Sequence, residues 1–318
     1  DTDACEARGR RTNAAQAGMH VKERMRPPGM AVAARRFRHL DRGLEALGDE
    51  CLPELQLLDD ELAAAVRVKS LEQVEGKIEM PEFTHQGQEK KEFVRKMFDD
   101  ISPSYDFLNH FLSLGIDIYW RKIFIKKIEI QEGSTILDVA CGTGDVGFEI
   151  LRKHSVSITG VDLSPKMVKL AQEKTKKRNL NNITFIEGDA ENLSIESNSI
   201  DCLTISYGFR NIANYEKALE EFYRVLKPGG KLGILEFSKP KSKVIGFIFK
   251  LYFHHILPRI ASFFSRSDAY RYLPESVDFF PSRHDICRKI IYSGFKRTEI
   301  HDLTFGISTI FLGFKVEK

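Results

Sequence analysis

The stretch STILDVACGTGDVGFEI, residues 134–150, joins a short apolar run to a glycine turn and then to a helix-like segment. Gly142, Gly144 and Gly147 spell G-x-G-x-x-G, and Asp162 lies twenty positions beyond Gly142. This is the spacing with which a strand, turn and helix bind a dinucleotide. The acids around the turn argue against a pyrophosphate. Asp138 stands four residues before Gly142, and Asp145 directly follows Gly144. A helix N-terminus attracts phosphate through its free N–H groups and its dipole, and a carboxylate beside it opposes that attraction. A cationic or zwitterionic ligand suits the pair better. S-adenosylmethionine is such a ligand, with a sulfonium, an ammonium and a carboxylate. The glycines let the backbone approach its methionyl part. Asp162, at the end of the next strand, would hold ribose hydroxyls, a task it would equally perform for a nicotinamide cofactor. Asp189-Ala190, in the segment EGDAENL, would meet the adenine amino group.

The elements that position these residues follow from changes of period. KKEFVRKMFDDI places Phe93, Val94, Met97, Phe98 and Ile101 on one helical face. SPSYDFLNHFLSLGIDIYWRKIFIKKI continues with Pro103 at a helix start and a break at Gly115. Apolar strands then alternate with helices: TILDVA, VSITGVD, ITFIEGD, SIDCLTISYG and KLGILEF are strands, the last preceded by a KPGG turn. Ser164 is an N-cap and Pro165 the first helical residue of SPKMVKLAQEKTKKR. Alternation of this kind implies an α/β fold, a doubly wound parallel sheet covered on both faces. The final strands, KRTEIHDL and STIFLGFKV, are joined too tightly for a parallel crossover, so the last strand should be antiparallel.

Composition changes near Met80. Before it lie one Ile, one Phe and ten Arg; from it onward lie 27 Ile, 22 Phe and 12 Arg. We therefore read 1–79 as an Ala/Arg-rich appendage with one or two amphipathic helices at most, and 80–318 as the folded domain, Met80 being a natural start. A net charge of +3 argues against a nucleic-acid partner. The five cysteines are scattered without metal spacing, and the first thirty residues lack an apolar run. Both features suggest a cytoplasmic protein.

The set LDVACGTGD, VDLS, GDAENL and RVLKPGG, in this order, resembles the class I S-adenosylmethionine-dependent methyltransferases. Within them, YDFLNHFLSLGIDIYW, ISYGFRN, YRVLKPGGKLGILEFSKP, FHHILPRI and YRYLPESV are similar to the ubiquinone/menaquinone biosynthesis C-methyltransferase family, from about Phe93 to the end. The resemblance implies a Rossmann-like sheet with N-terminal helices and a helical insertion, 241–280, before the last helix. It implies cofactor contacts at Thr143, Asp162, Asp189, Ala190 and Ser206, and a polyprenyl quinol as substrate. Two positions depart from the family pattern. Asp117 stands where a His usually precedes Trp120 by three residues, and Cys141 stands where Gly is frequent.

Methyl transfer to a quinol ring carbon needs positioning and stabilisation of a phenolate, with neither metal nor covalent nucleophile. Arg210 is the candidate to stabilise that phenolate or polarise a water, a structural ion pair being the alternative, and Asn211 would orient a ring oxygen. Tyr105, Asn109, Tyr270 and Tyr272 are candidates to line the quinol pocket, with packing as the competing role for each. Adjacent His254 and His255 point apart on a helix, which argues against a shared metal. Residues 244–264 approach the length of a membrane span, but Lys250, His254, His255 and Arg259 interrupt it and Pro258 would kink it. Ile245, Ile248, Phe249, Tyr252, Ile256 and Ile260 recur at helical spacing, which fits a lid, an interfacial helix or a core helix. The family expectation is transient contact with the inner face of a membrane. Assembly as a homodimer is compatible with the sequence, which does not fix the oligomeric state. The other readings are a methyltransferase of another small or lipid acceptor, a nicotinamide-dependent oxidoreductase, and a non-catalytic binding subunit.

Overall fold

The computed structural model describes residues 86–113, 115–256 and 269–316. The 1–79 appendage lies outside the described residues. In chain order the helices are α1 (Gly87–Ile101), α2 (Tyr105–Leu112), α3 (Ile116–Ile128), α4 (Asp145–Leu151), α5 (Pro165–Lys177), α6 (Tyr215–Val225), α7 (Lys243–Leu251), α8 (Ala269–Asp278) and α9 (Arg283–Tyr292). The strands are β1 (Thr135–Val139), β2 (Ser157–Asp162), β3 (Ile183–Glu187), β4 (Ile200–Ser206), β5 (Leu226–Phe237), β6 (Arg297–Leu303) and β7 (Ser308–Phe314).

The seven strands form one sheet in the order β3-β2-β1-β4-β5-β7-β6. The first five run parallel, and β7 pairs antiparallel with both β5 and β6. The central strands are apolar because helices cover both faces. On one face Phe124 and Ile128 of α3, Phe148 of α4 and Ala171 of α5 pack on Ile136 and Ile158. On the other, Phe222 of α6 and Ile286 and Ile290 of α9 pack on Leu137, Leu203 and Ile205. Each large side chain so buried contributes about 1.5–3 kcal/mol of hydrophobic stabilisation.

Local signals act as the sequence suggests at the start of α5. Ser164 Oγ accepts a hydrogen bond from Met167 N at 3.2 Å, and Pro165 opens the helix. Gly115, with φ 74°, marks the break before α3. The KPGG segment differs from expectation: it is a register break inside β5 rather than a turn before it. Ile200 pairs with Leu226, but Cys202 pairs with Lys231. The intervening residues loop out because α6 runs directly into β5.

Two parts of the chain roof the carboxyl end of the sheet. Val94, Met97 and Ile101 of α1 pack with Met167 of α5 and Tyr272 of α8 in a third apolar cluster. Thus the N-terminal helix and the insertion meet above the strand ends, where open α/β sheets bind ligands.

Candidate active site

The strand order reverses between β1 and β4, so the crevice between their carboxyl ends is the topological switch point. The turn after β1 begins with Ala140 at φ 49° and continues through Gly142 (φ 56°) and Gly144 (φ 90°). A Cβ on Gly144 would lie 2.6 Å from the Phe185 ring, so that position needs glycine both for its dihedral and for space. Gly208 fills the same need on the β4 side: a Cβ there would lie 2.4 Å from Ala140 Cβ. Glycine at 208 therefore brings the turn after β4 against the turn after β1.

Asp138 is buried in β1 opposite Thr204, whose hydroxyl donates to Asp138 Oδ1 at 2.6 Å. Asp138 Oδ2 has no hydrogen-bond partner among the described residues. Burial pushes this carboxyl up to about 7; the Thr204 bond opposes the rise and nearby Asp162 adds to it. Asp162 accepts from Gly142 N at 2.7 Å and Ser164 N at 2.9 Å. Burial raises it to about 6 against those two bonds. Ser206 Oγ, at the end of β4, is likewise buried without a partner among the described residues. Two buried polar atoms without partners among the described residues thus lie near the carboxyl ends of β1 and β4, the strands that flank the switch point. An ammonium and hydroxyls would satisfy them, so the donor set fits S-adenosylmethionine.

Asp189 is already engaged. Its Oδ1 accepts from Glu191 N at 2.9 Å and its Oδ2 from Lys91 of α1 at 2.7 Å. Ala190 beside it packs against the core. Thr143, almost fully buried, donates to Asp106 at 2.5 Å and accepts from Lys174 at 2.8 Å. Lys174 also pairs with Asp106 and Asp145. Through these contacts α2 is pinned over the glycine turn, and Tyr105 Cε1 lies 3.7 Å from where a Cβ on Gly142 would be. Burial raises the Tyr105 hydroxyl, with a hydrogen bond to Asn109 opposing. Tyr105 and Asn109 therefore stand on the glycine-turn side of the crevice.

The departure at Asp117 has a local compensation. Its carboxylate accepts from His110 Nδ1 (2.8 Å) and Ser113 Oγ (2.6 Å) and pairs with Arg121 (3.0 Å). Asp117 thus joins α2 to α3. Cys141 packs under the turn, its sulfur 3.0 Å from a Cβ position on Gly160, and burial holds its thiol well above the usual range.

Arg210 and Asn211 lie in a short 3-10 turn after β4, and both are buried. Arg210 Nη1 donates to Glu236 Oε1 at 2.6 Å and to Tyr207 O at 2.5 Å, and Nε donates to Ser276 Oγ of α8 at 3.3 Å. Its backbone N–H also donates to Glu236 Oε2 at 3.1 Å. The ion pair offered as the alternative role for Arg210 is therefore present. Nη2 takes no partner among the described residues. Asn211 Oδ1 accepts from the Tyr272 hydroxyl at 3.1 Å. The structure thus brings Arg210, Asn211 and Tyr272 together; the Tyr270 side chain lies outside the described residues.

Sequence reasoning missed four residues that tie this region together. Glu236 is a lone acid in the apolar run KLGILEF, which is itself a signal of a buried, partnered charge. Glu191 Oε1 accepts from Ala213 N and Asn214 N, and its Oε2 pairs with Lys91. Lys90 donates to the carbonyls of Arg210 (3.1 Å) and Ile212 (2.8 Å), and burial, then the Arg210 charge, lowers it to about 8. Adjacent Lys90 and Lys91 therefore clamp the turn after β4 and the loop after β3. Nothing in KKEF distinguishes these lysines from solvated ones.

The strand order, the glycine turn and the acid that ends β2 define a class I S-adenosylmethionine-dependent methyltransferase. A crystal structure of a Thermotoga maritima methyltransferase superposes with a TM-score of 0.51 at 17% identity, covering 70% of this chain and 99% of that one. A putative methyltransferase of Methanococcus maripaludis gives 0.50 at 20% identity, covering 74% and 99%. Residues 84–315 match the model of the ubiE/COQ5 methyltransferase family, and the chain belongs to that family. It is 44% identical over 230 residues to the ubiquinone/menaquinone biosynthesis C-methyltransferase UbiE of Geotalea daltonii, covering 71% of this chain and 98% of that protein. It is also 44% identical over 230 residues to a demethylmenaquinone methyltransferase of Deinococcus radiodurans, covering 72% and 95%.

Proposed function

We propose that this methyltransferase acts on a ring carbon of a polyprenyl quinol, converting demethylmenaquinol to menaquinol or performing the benzoquinol step of ubiquinone synthesis. The observation that carries this reading is the buried Arg210–Asn211–Tyr272 group beside the glycine turn. Most of its donors serve the protein, and Arg210 Nη2 and the Asn211 amide NH₂, which take no partner among the described residues, are the donors left for a ring bearing oxygens. Bound S-adenosylmethionine supplies an electrophilic methyl on its sulfonium. Asp138, Gly142, Thr143, Gly144, Asp162, Asp189, Ala190 and Ser206 would hold it, with Asp189 sharing its carboxylate with Lys91. Arg210 Nη2 would donate to the quinol oxygen as its proton passes to water, so that negative charge delocalises to the attacking ring carbon; after transfer the hydrogen on that carbon leaves as a proton to water and the ring regains its aromaticity. Asn211, oriented by Tyr272, would hold a second ring oxygen. Because Glu236 neutralises Arg210, the pair acts as a fixed donor rather than as a net cation. The test is methyl transfer to short-tailed demethylated naphthoquinol and benzoquinol, read by product mass. Absence of a C-methylated product from both rejects the reading.

Asp162→Ala should weaken cofactor binding by about 1–3 kcal/mol, the loss of charge-assisted hydrogen bonds. Unchanged affinity in calorimetry rejects the ribose role. The same site fixes a pH dependence. Asp138 and Asp162 are raised from 3.8 to about 7 and about 6, so the folded protein holds protons there that the unfolded chain has lost. Their contribution to stability falls as pH rises through that window. A positively charged ligand favours the ionised carboxyls, so cofactor affinity should rise between about pH 5.5 and about pH 8. A flat profile over that range counts against both carboxylates as cofactor groups.

We further propose that residues 1–79 are dispensable. The family match starts at residue 84. Protein lacking 1–79 should stay soluble and transfer methyl at the parental rate; loss of most activity assigns the segment to the domain.

A further inference from the structure

We propose that α7 and the turn between β6 and β7 form one docking surface for a bilayer containing anionic lipid; the inference extends the polyprenyl quinol reading by naming the face through which such a substrate would be reached. Helix α7 is apolar around most of its circumference. One side packs inward: Phe249 stacks on Phe253 at 4.1 Å, and buried Phe253 meets Phe237 at 5.5 Å. The other side carries Val244, Phe247, Ile248 and Leu251 at i, i+3, i+4 and i+7, with relative exposures of 68%, 69%, 56% and 45%. A helix with apolar residues on its outer face as well needs a second apolar phase to cover them.

The turn Thr304–Gly306 adds an aromatic tip. Phe305 has φ 58° and ψ 24°, in the left-handed region that a bulky residue avoids, and it is 74% exposed. Packing does not explain an aromatic ring held outward in that conformation. The turn itself is fixed. Trp120 donates to Thr304 Oγ1 at 2.8 Å, and Arg283 donates to Gly306 O at 2.9 Å. It abuts the chain entering α7: a Cβ on Gly306 would lie 3.7 Å from Lys241 N, and Lys241 pairs with Asp302 at 2.9 Å.

Charge selects the occupant. The described residues 237–256 contain four Lys, two His and no Asp or Glu; Lys241 pairs with Asp302 and His254 with Asp278. Lys243 and Lys250 are exposed at either end of α7. Apolar side chains flanked by basic ones, in an acid-free segment, match the headgroup boundary of an anionic bilayer. A second copy of this chain would bring the same positive charge onto itself. The site lies at the same end of the fold, since β7 leaves this turn beside the carboxyl end of β5.

The test is co-sedimentation of the full chain with vesicles of phosphatidylcholine, alone or mixed with phosphatidylglycerol. The parent should bind the mixed vesicles, less so at high salt. Phe247→Ser and Phe305→Ser should each lower partitioning about tenfold, and Lys243→Glu with Lys250→Glu should remove the preference for anionic lipid. Both Phe variants should methylate a truncated-tail, water-soluble quinol at the parental rate. Failure of the parent to turn over that quinol would reject the substrate reading and leave the vesicle result standing as evidence for docking. Parental vesicle binding in both Phe variants overturns the inference, as does a parent that ignores vesicles. A parental dimer that Phe247→Ser splits, with vesicle binding unchanged, also overturns it and makes the face a subunit interface.

Discussion

Arg210→Ala should lower single-turnover methyl transfer by about 10²–10³ at saturating cofactor, the loss seen when one donor to a developing oxyanion is removed. Cofactor affinity should stay near parental, because the carboxylates of the cofactor crevice are separate from the Arg210 side chain. The effect belongs to the transition state, where charge on the quinol oxygen is greatest. Arg210→Lys should recover only part of the rate. An ammonium can pair with Glu236, but it lacks the planar fork that lets Nη1 serve Glu236 while Nη2 stays available. Arg210→Ala also leaves Glu236 fully buried without its cation. The variant should therefore be less stable than the parent. Rates must accordingly be taken on protein shown to be folded. A folded Arg210→Ala protein with the parental single-turnover rate would falsify the catalytic assignment.

The ion pair also shows where sequence reading stops. The alternation of strand and helix, the antiparallel final strand and the N-cap of α5 were legible because each rests on local period or turn chemistry. The glycine turn and the acid that ends β2 were legible because their functional spacing lies within one βαβ unit. The partner of Arg210 was not, since Glu236 lies 26 residues away on another strand. Its one local trace was an acid inside an apolar run. Lys90 and Lys91 left less: each meets groups about a hundred or more positions away. The insertion was ambiguous for a physical reason. Its apolar residues recur at helical spacing on two faces, and period alone does not tell which face the protein covers. Ile245 and Phe249 turn out half-buried, while Ile248 and Ile256 are exposed.

Glu236→Gln should cost about 3–5 kcal/mol of stability, the usual result of removing one member of a buried ion pair. Glu236 is fully buried, and its carboxylate accepts three donors: Arg210 Nη1, Arg210 N and Phe237 N. A glutamine amide offers one acceptor oxygen and must turn its NH₂ toward one of those donors, leaving the guanidinium charge uncompensated. Denaturant unfolding reads the loss as a lower midpoint with unchanged slope. Turnover should fall as well, because Glu236 grips Arg210 by both backbone and side chain and so fixes the direction of Nη2. The two effects separate in the double variant Arg210→Met with Glu236→Leu. Apolar residues of similar volume dispense with the desolvation cost of the pair, so stability should return to within a few kcal/mol of the parent or exceed it. Methyl transfer should not return, because no donor then faces the quinol oxygen. Recovery of both stability and rate in that variant would reduce the pair to a structural role. Recovery of stability alone assigns Glu236 as the residue that positions Arg210 for catalysis.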